Sequence, residues 1–258
     1  SCLGRSAAPP RIGPSGEAGR TDPAAAPRRC LVPHRREDRN VTLPRLYLIT
    51  DTGRVADGGT SDSQRGLPDV VEAALQAGAE FVQFRDTSMP VDQRWTLARR
   101  VAGLCRRHDA TWLVNGRADL AMDFGADGVH RPGQGIPIEA VRRLMGADSR
   151  VGASAHSLEE ALLAERDGAD FVTLSPLFTT ASKPGYGPPL GLENLREVTE
   201  LVDIPVFALA GITPGRVAPC LEAGAHGVAV MGGIMAADDP SASTRAYLEA
   251  IEAAVNPQ

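Results

Sequence analysis

From Arg45 onward the chain alternates short apolar runs with longer stretches of helical period. The runs are LYLIT (46–50), FVQF (81–84), WLVN (112–115), GVH (128–130), VGAS (151–154), FVTLS (171–175), VFALA (206–210) and GVAVM (227–231). Runs of this length read as strands, so eight strands are predicted. Strands two, four, six and eight enter through one local signature: Gly78-Ala79-Glu80-Phe81, Gly125-Ala126-Asp127-Gly128, Gly168-Ala169-Asp170-Phe171 and Gly224-Ala225-His226-Gly227. In each, a glycine just past a helix can take the left-handed capping conformation before the strand begins. The signatures recur at intervals of 47, 43 and 56 residues, about two strand-helix units per interval, which is the size expected of a (β/α)8 barrel. An open doubly wound sheet shares this alternation. It is disfavoured because LYLITDTGRVADGG, after the first strand, lacks the GxGxxG spacing of a nucleotide loop. The fold class is therefore α/β, a single TIM barrel over residues 41–258.

The first forty residues break the pattern. They are rich in Arg, Pro, Ala and Gly and almost without large apolar side chains, so they cannot bury enough surface to offset their ordering entropy and are expected to be disordered. They hold eight Arg against four acidic residues, whereas residues 41–258 hold nineteen basic and twenty-eight acidic. An acidic body repels a phosphate backbone, so an upstream extension or targeting remnant is preferred to a nucleic-acid arm, and no nucleic-acid partner is expected. No apolar run reaches the length of a membrane span, and the first forty residues lack a secretory hydrophobic segment; a cytoplasmic protein without a membrane partner is expected. The scattered Cys2, Cys30, Cys105 and Cys220 read as reduced and structural.

On a barrel, chemistry lies at the C-terminal strand ends. There the sequence places Asp51, then Gln83-Phe84-Arg85-Asp86, Asn115-Gly116, His130, Ser154-Ala155-His156, a long loop containing Thr180, Ser182 and Lys183, Gly211, and Gly232-Gly233. Small residues after strands seven and eight let backbone N–H groups approach an anion, so Gly211, Gly232 and Gly233 are candidate phosphate ligands. Lys183 is the one lysine against twenty-six arginines, which marks a position where a point-like ammonium is used. Of five histidines, His34 lies in the tail, His108 near a helix end and His226 on the opposite face. His130 and His156 point to the mouth, and the helix start at Ser157-Leu158-Glu159-Glu160 would fix the surroundings of His156, the candidate acid/base.

The segments LYLITD, VQFRD, GADGVH, ASAHSLEEA, TTASKPG, ALAGITP and GVAVMGGI, in this order and spacing, resemble the thiamine phosphate synthase superfamily from about Arg45 to Ala254. That superfamily includes the synthases and the related thiazole tautomerases. The resemblance implies a TIM barrel acting on phosphorylated thiazole intermediates. Synthases join hydroxymethylpyrimidine diphosphate to thiazole phosphate and use magnesium held by an aspartate after strand three and another after strand four. Here the first position is Gly116, and the second falls in HRPGQGIP at Gly135, with Gln134 or Ile136 under a one-residue shift. Thr87 also replaces a lysine that synthases carry two residues after the strand-two arginine.

Loss of two carboxylates and a cation removes much of what would stabilise diphosphate departure, so the Asn-Gly-Arg segment is similar to the tautomerase branch. The expected activity is metal-independent aromatisation of a thiazole carboxylate phosphate, an isomerase reaction without a cofactor. His156 would move the protons, while Gln83, Arg85, Asn115, Ser154, Thr180, Ser182 and Lys183 position substrate. Two alternatives stand beside it. One is a synthase whose Mg2+ has moved to Asp86 or Asp51, releasing pyrophosphate. The other is a non-catalytic sensor of thiazole phosphate. A homo-oligomer is compatible with the sequence but not indicated by it.

Overall fold

The computed structural model describes residues 43–55, 66–133, 135–180 and 188–256. Its eight strands are β1 (Leu46–Ile49), β2 (Phe81–Phe84), β3 (Thr111–Asn115), β4 (Gly128–Arg131), β5 (Arg150–Ala155), β6 (Phe171–Leu174), β7 (Val206–Leu209) and β8 (Gly227–Val230). They pair in parallel in sequence order and close, because β1 also pairs with β8. Between them run α1 (Leu67–Gln76), α2 (Val91–Arg107), α3 (Ala118–Phe124), α4 (Ile138–Met145), α5 (Leu158–Arg166), α6 (Gly191–Leu201) and α7 (Val217–Glu222); after β8 come α8 (Gly232–Met235) and α9 (Pro240–Val255). The TIM barrel read from the apolar runs is the observed fold. The expectation of disorder over residues 1–40 lies outside the described residues.

Alternation along each strand divides the core in two. Tyr47, Ile49, Phe81, Leu113, Phe171, Phe207 and Ala229 fill the barrel interior, and Tyr47 stacks on Phe81 with ring centroids 4.1 Å apart. The alternate set, Leu48, Val82, Val114, Val129, Val151, Val172, Ala208 and Val228, packs outward under the helices.

The repeated signature has two physical parts. Gly78, Gly125, Gly168 and Gly224 all have positive φ, between 65° and 106°, the left-handed turn that reverses chain direction between helix and strand. The third residue ties the floor of the barrel: Asp127 accepts the Trp112 N–H at 2.8 Å, Asp170 accepts the Val151 N–H at 2.6 Å, and His226 Nε2 donates to the Leu43 carbonyl at 2.7 Å. These groups therefore serve strand registration at the end opposite the mouth.

One helix terminus uses the left-handed turn without glycine. Asp109, exposed just past α2, has φ 52°, and the following Ala110 N–H closes onto the Cys105 carbonyl at 2.9 Å. Asp109→Gly removes the Cβ penalty and a negative charge from a helix C-terminus. It is expected to stabilise the protein by about 0.5–1 kcal/mol, read as a higher midpoint in urea unfolding; an unchanged or lower midpoint would refute it.

Candidate active site

The residues that continue the inward-facing parity of each strand converge on one mouth. They are Asp51 after β1, Gln83 on β2 and Arg85 just past it, Asn115 on β3, His130 on β4, Ser154 on β5 and His156 just past it, Thr173 on β6 and Ser175 just past it, and Met231 after β8. Arg85 lies across the opening: its Nη1 pairs with Asp51 Oδ2 at 3.0 Å and lies 4.0 Å from Met231 Sδ. The Thr50 hydroxyl fixes the Arg85 backbone from both sides, donating to its carbonyl and accepting from its N–H, each at 2.9 Å.

His156 is oriented from two sides. Its Nδ1 lies 2.6 Å from the Ser175 carbonyl, which can only accept, so Nδ1 carries the hydrogen and Nε2 is the basic nitrogen. Its backbone N–H donates to Glu160 Oε2 at 2.7 Å, while Ser157 caps α5 by accepting the Glu160 N–H at 3.2 Å. The cap read from Ser157-Leu158-Glu159-Glu160 thus does hold the histidine segment.

Gln83 sits deeper than a ligand contact requires. It is buried, and its amide is spent on the Tyr47 hydroxyl at 2.9 Å. His130 is fully buried as well, with Nε2 3.0 Å from Ser154 Oγ, and burial pushes its pKa down to about 3. Asn115 and Ser154 are half-buried at the rim, as is Thr180 in the loop after β6. Ser182 and Lys183 lie outside the described residues.

The three glycines differ in what they do. Gly211, at φ 68°, packs so closely on the loop after β6 that a Cβ would come within 2.7 Å of Phe178 Cβ and 2.8 Å of the Thr179 carbonyl. Gly233 makes room for Tyr247 of α9, since a Cβ there would meet Tyr247 Oη, whose hydroxyl donates to Ile212 O at 2.9 Å. A Cβ on Gly232 would meet nothing within 4 Å, so of the pair it is Gly232 that faces open space. Ala210, beside Gly211, holds φ 79° without being glycine.

Between the ends of β2 and β3 lies a cavity of about 320 Å³, lined by Asp86, Thr87, Arg94, Asn115, Gly116 and Arg117 among others. Asp86 is saturated. It accepts from the Thr52 hydroxyl, from Ser88 Oγ at 3.0 Å, from the Met89 N–H at 3.0 Å and from Arg94 Nε at 3.4 Å. Burial by itself would raise its carboxyl, but the bonds from Thr52, Met89 and Ser88 outweigh that and hold it below the ordinary value. Arg117 is clamped to Asp119 through two contacts of 2.8 and 2.5 Å.

Magnesium takes hard oxygen ligands, one or two carboxylates beside substrate phosphates. The described residues at the ends of β3 and β4, Asn115, Gly116, Arg131, Pro132, Gly133 and Gly135, carry no carboxylate. Asp51 is held by Arg85 and the Gly53 N–H, and Asp86 by donors from four residues. Among the described residues no group of three or more His, Cys, Asp or Glu is placed to hold a metal. The described site therefore does not fit a magnesium ion held by protein carboxylates, including at the alternative positions Asp51 and Asp86.

Sequence reasoning missed Tyr47 and Thr173. Tyr47 had a signal, because a tyrosine inside an apolar strand needs a partner for its hydroxyl. Thr173 is buried with no hydrogen-bond partner for Oγ1 among the described residues, which only the closed barrel reveals. The buried Cys105 and Cys220 thiols are pushed up to about 12 and about 11, burial being the main cause, so they are protonated and inert. Cys2 and Cys30 lie outside the described residues. No helix among the described residues is long and apolar enough to cross a membrane.

Comparisons with known proteins bear on this mouth. The family model described as thiamine monophosphate synthase matches residues 46–234. A thiamine-phosphate synthase of Roseiflexus castenholzii is 42% identical over 204 residues, 79% of this chain and 86% of that protein. The thiamine biosynthesis bifunctional protein ThiM/ThiE of Symbiobacterium thermophilum is 44% identical over 187 residues, 72% of this chain, which spans 39% of that longer protein. Among solved structures, thiamine phosphate pyrophosphorylase from Pyrococcus furiosus matches with a TM-score of 0.71 at 32% identity, covering 82% of this chain and 97% of that one.

These relatives overturn the expectation of a tautomerase and of an isomerase. That expectation weighed three rim positions, Gly116, Gly135 and Thr87, above the rest of the lining. Magnesium in phosphate chemistry is bound largely by substrate oxygens and water, so the loss of two protein carboxylates changes how charge is neutralised without deciding which bond is made.

Proposed function

We propose that this chain, which belongs to the thiamine monophosphate synthase family, is a thiamine-phosphate synthase, a transferase joining a pyrimidine methyl diphosphate to a thiazole phosphate. The observation that carries the reading is the convergence of Arg85, Asn115, Ser154 and His156 on one mouth, with the glycine turns after β7 and β8 at its other side. In the reaction the thiazole nitrogen lone pair forms a bond to the pyrimidine methylene carbon. The carbon–oxygen bond to diphosphate breaks, and its electron pair leaves with the diphosphate oxygen.

No proton moves in that step. His156 is accordingly assigned to orienting substrate rather than to acid/base transfer, its ring fixed by the Ser175 carbonyl. Negative charge develops on the departing oxygen, and stabilising it is where the barrier is lowered. We assign the diphosphate to the β2–β4 side, where Arg85 and Asn115 face the mouth and Arg94 and Arg117 line the adjoining cavity. The thiazole phosphate is assigned to the backbone at Gly211 and Gly232. Thr180, half-buried in the loop after β6, is assigned to the same mouth.

The test is direct. Purified protein given both precursors is expected to release one pyrophosphate per thiamine phosphate formed. Asn115→Ala is expected to lower kcat/KM at least about tenfold, the loss of one good hydrogen bond to a charged group. Pyrophosphate release no faster than without protein, across a magnesium titration, would refute the reading.

A further inference from the structure

Below the mouth, four polar side chains form one line through the barrel interior. Gln83 Nε2 donates to the Tyr47 hydroxyl at 2.9 Å, that hydroxyl lies 3.4 Å from His130 Nδ1, and His130 Nε2 lies 3.0 Å from Ser154 Oγ. Gln83, Tyr47 and His130 are buried, among the rings of Phe81, Phe171 and Phe207. In such surroundings no water can correct a mismatched hydrogen, so donor and acceptor directions must agree along the whole line.

The first link sets the rest. A carboxamide nitrogen only donates, so the Tyr47 oxygen accepts from Gln83 and has its single hydrogen left for His130 Nδ1. Burial keeps the imidazole neutral, with a pKa of about 3, and a neutral ring carries one N–H. With Nδ1 accepting, that hydrogen is on Nε2 and points to Ser154 Oγ. The serine oxygen receives it, so the serine hydrogen cannot point back down the line. Ser154 is half-buried at the top of β5. Its hydroxyl is therefore turned outward as a donor.

We propose that Gln83, Tyr47 and His130 form a one-way hydrogen-bond ladder that presents the Ser154 hydroxyl as a donor to an oxygen of the substrate diphosphate. The identity of that anion rests on the synthase reading; the direction of the ladder does not. Tyr47 and His130 are positioning residues, acting through Ser154. With the ladder reversed, Ser154 would donate downward to His130 and turn only lone pairs to the mouth, where they would repel an anion. The polarity thus decides whether this rim position attracts or rejects phosphate oxygen.

Imidazole 15N NMR of the wild-type protein between pH 6 and 8 is expected to place the His130 hydrogen on Nε2. Tyr47→Phe removes the group that selects this tautomer, so a population with the hydrogen on Nδ1 is expected to appear. In the same variant the dissociation constant for inorganic pyrophosphate should rise about tenfold, or about 1.4 kcal/mol. Ser154→Ala should weaken binding by a similar factor, and the double variant should be no weaker than either single one.

A wild-type hydrogen on Nδ1 overturns the proposal, and that measurement needs no variant to fold. So does a Tyr47→Phe protein that melts lower but keeps both the tautomer and the pyrophosphate affinity, since a merely structural role would give that result. A His130 hydrogen on Nε2 together with failure of the coupling assay sinks the synthase reading and leaves the ladder standing.

Discussion

Replacing Gly128 with alanine is expected to cost at least about 3 kcal/mol and to lower the melting temperature by about 6–12 °C. Gly128 opens β4 in register with Arg150 of β5. A Cβ there would lie 1.8 Å from the Arg150 carbonyl oxygen, 2.6 Å from its carbon and 2.8 Å from its nitrogen. All three are backbone atoms of a paired strand, so relief requires parting β4 from β5, and in a closed barrel the strain spreads to the neighbouring ladders. Gly227 is the counterpart on β8, where a Cβ would come within 2.2 Å of the Arg45 carbonyl.

The fourth residue of the repeated signature is thus Phe81, Gly128, Phe171 and Gly227 in turn, large and small on alternate even strands. Phe81 and Phe171 meet edge to face across the interior at 5.6 Å, while the glycines let adjacent backbone come in close. Gly215→Ala is the control, since nothing lies within 4 Å of a Cβ there; it should stay within about 0.5 kcal/mol of wild type. Thermal unfolding of both variants decides the matter, and a Gly128→Ala protein that melts like the control would show that the barrel yields at this seam.

Acid should destabilise the protein through His130. The folded-state pKa is depressed to about 3 by burial, against about 6.5 in the unfolded chain. Between these values the unfolded state binds a proton that the folded state does not, so stability rises with pH across this window. Above about pH 6.5 the ring is neutral in both states and adds no slope. As pH falls from there toward 3, stability drops by about 1.4 kcal/mol per pH unit, and below the folded pKa the loss levels off.

Tyr47, the hydroxyl neighbour of His130, has its own pKa pushed upward by burial, so it stays protonated and adds no compensating charge. Urea unfolding at pH 7 and pH 5 should therefore show the wild type losing about 2 kcal/mol more than His130→Gln. His226, whose pKa burial also lowers, is present in both proteins and cancels in the difference. Equal losses in the two proteins would mean that His130 is protonated at pH 5 in the folded state.

What the sequence by itself determined is whatever depends on local period and local backbone preference. Eight apolar runs marked eight strands, and the glycines of the repeated signature marked the left-handed turns that precede four of them. Together these carried the closed barrel and the mouth, and the ordered motifs carried the superfamily. They did not reach the choice of activity. Gly116 and Gly135 were weighed as lost metal ligands, and the branch inferred from them was overturned by relatives similar over most of the chain.

Only the tertiary structure decided which polar residues are spent on one another and which are left facing the mouth. Gln83 and Asn115 both sit near strand ends, yet Gln83 is committed to Tyr47, 36 positions away, while Asn115 borders a cavity. Asp86 was a candidate metal ligand until Thr52, Ser88, Met89 and Arg94 were seen to occupy its oxygens. The reason is physical: a hydrogen bond depends on distances of about 3 Å between atoms that barrel closure brings together from remote strands, and no local pattern in the chain encodes that meeting.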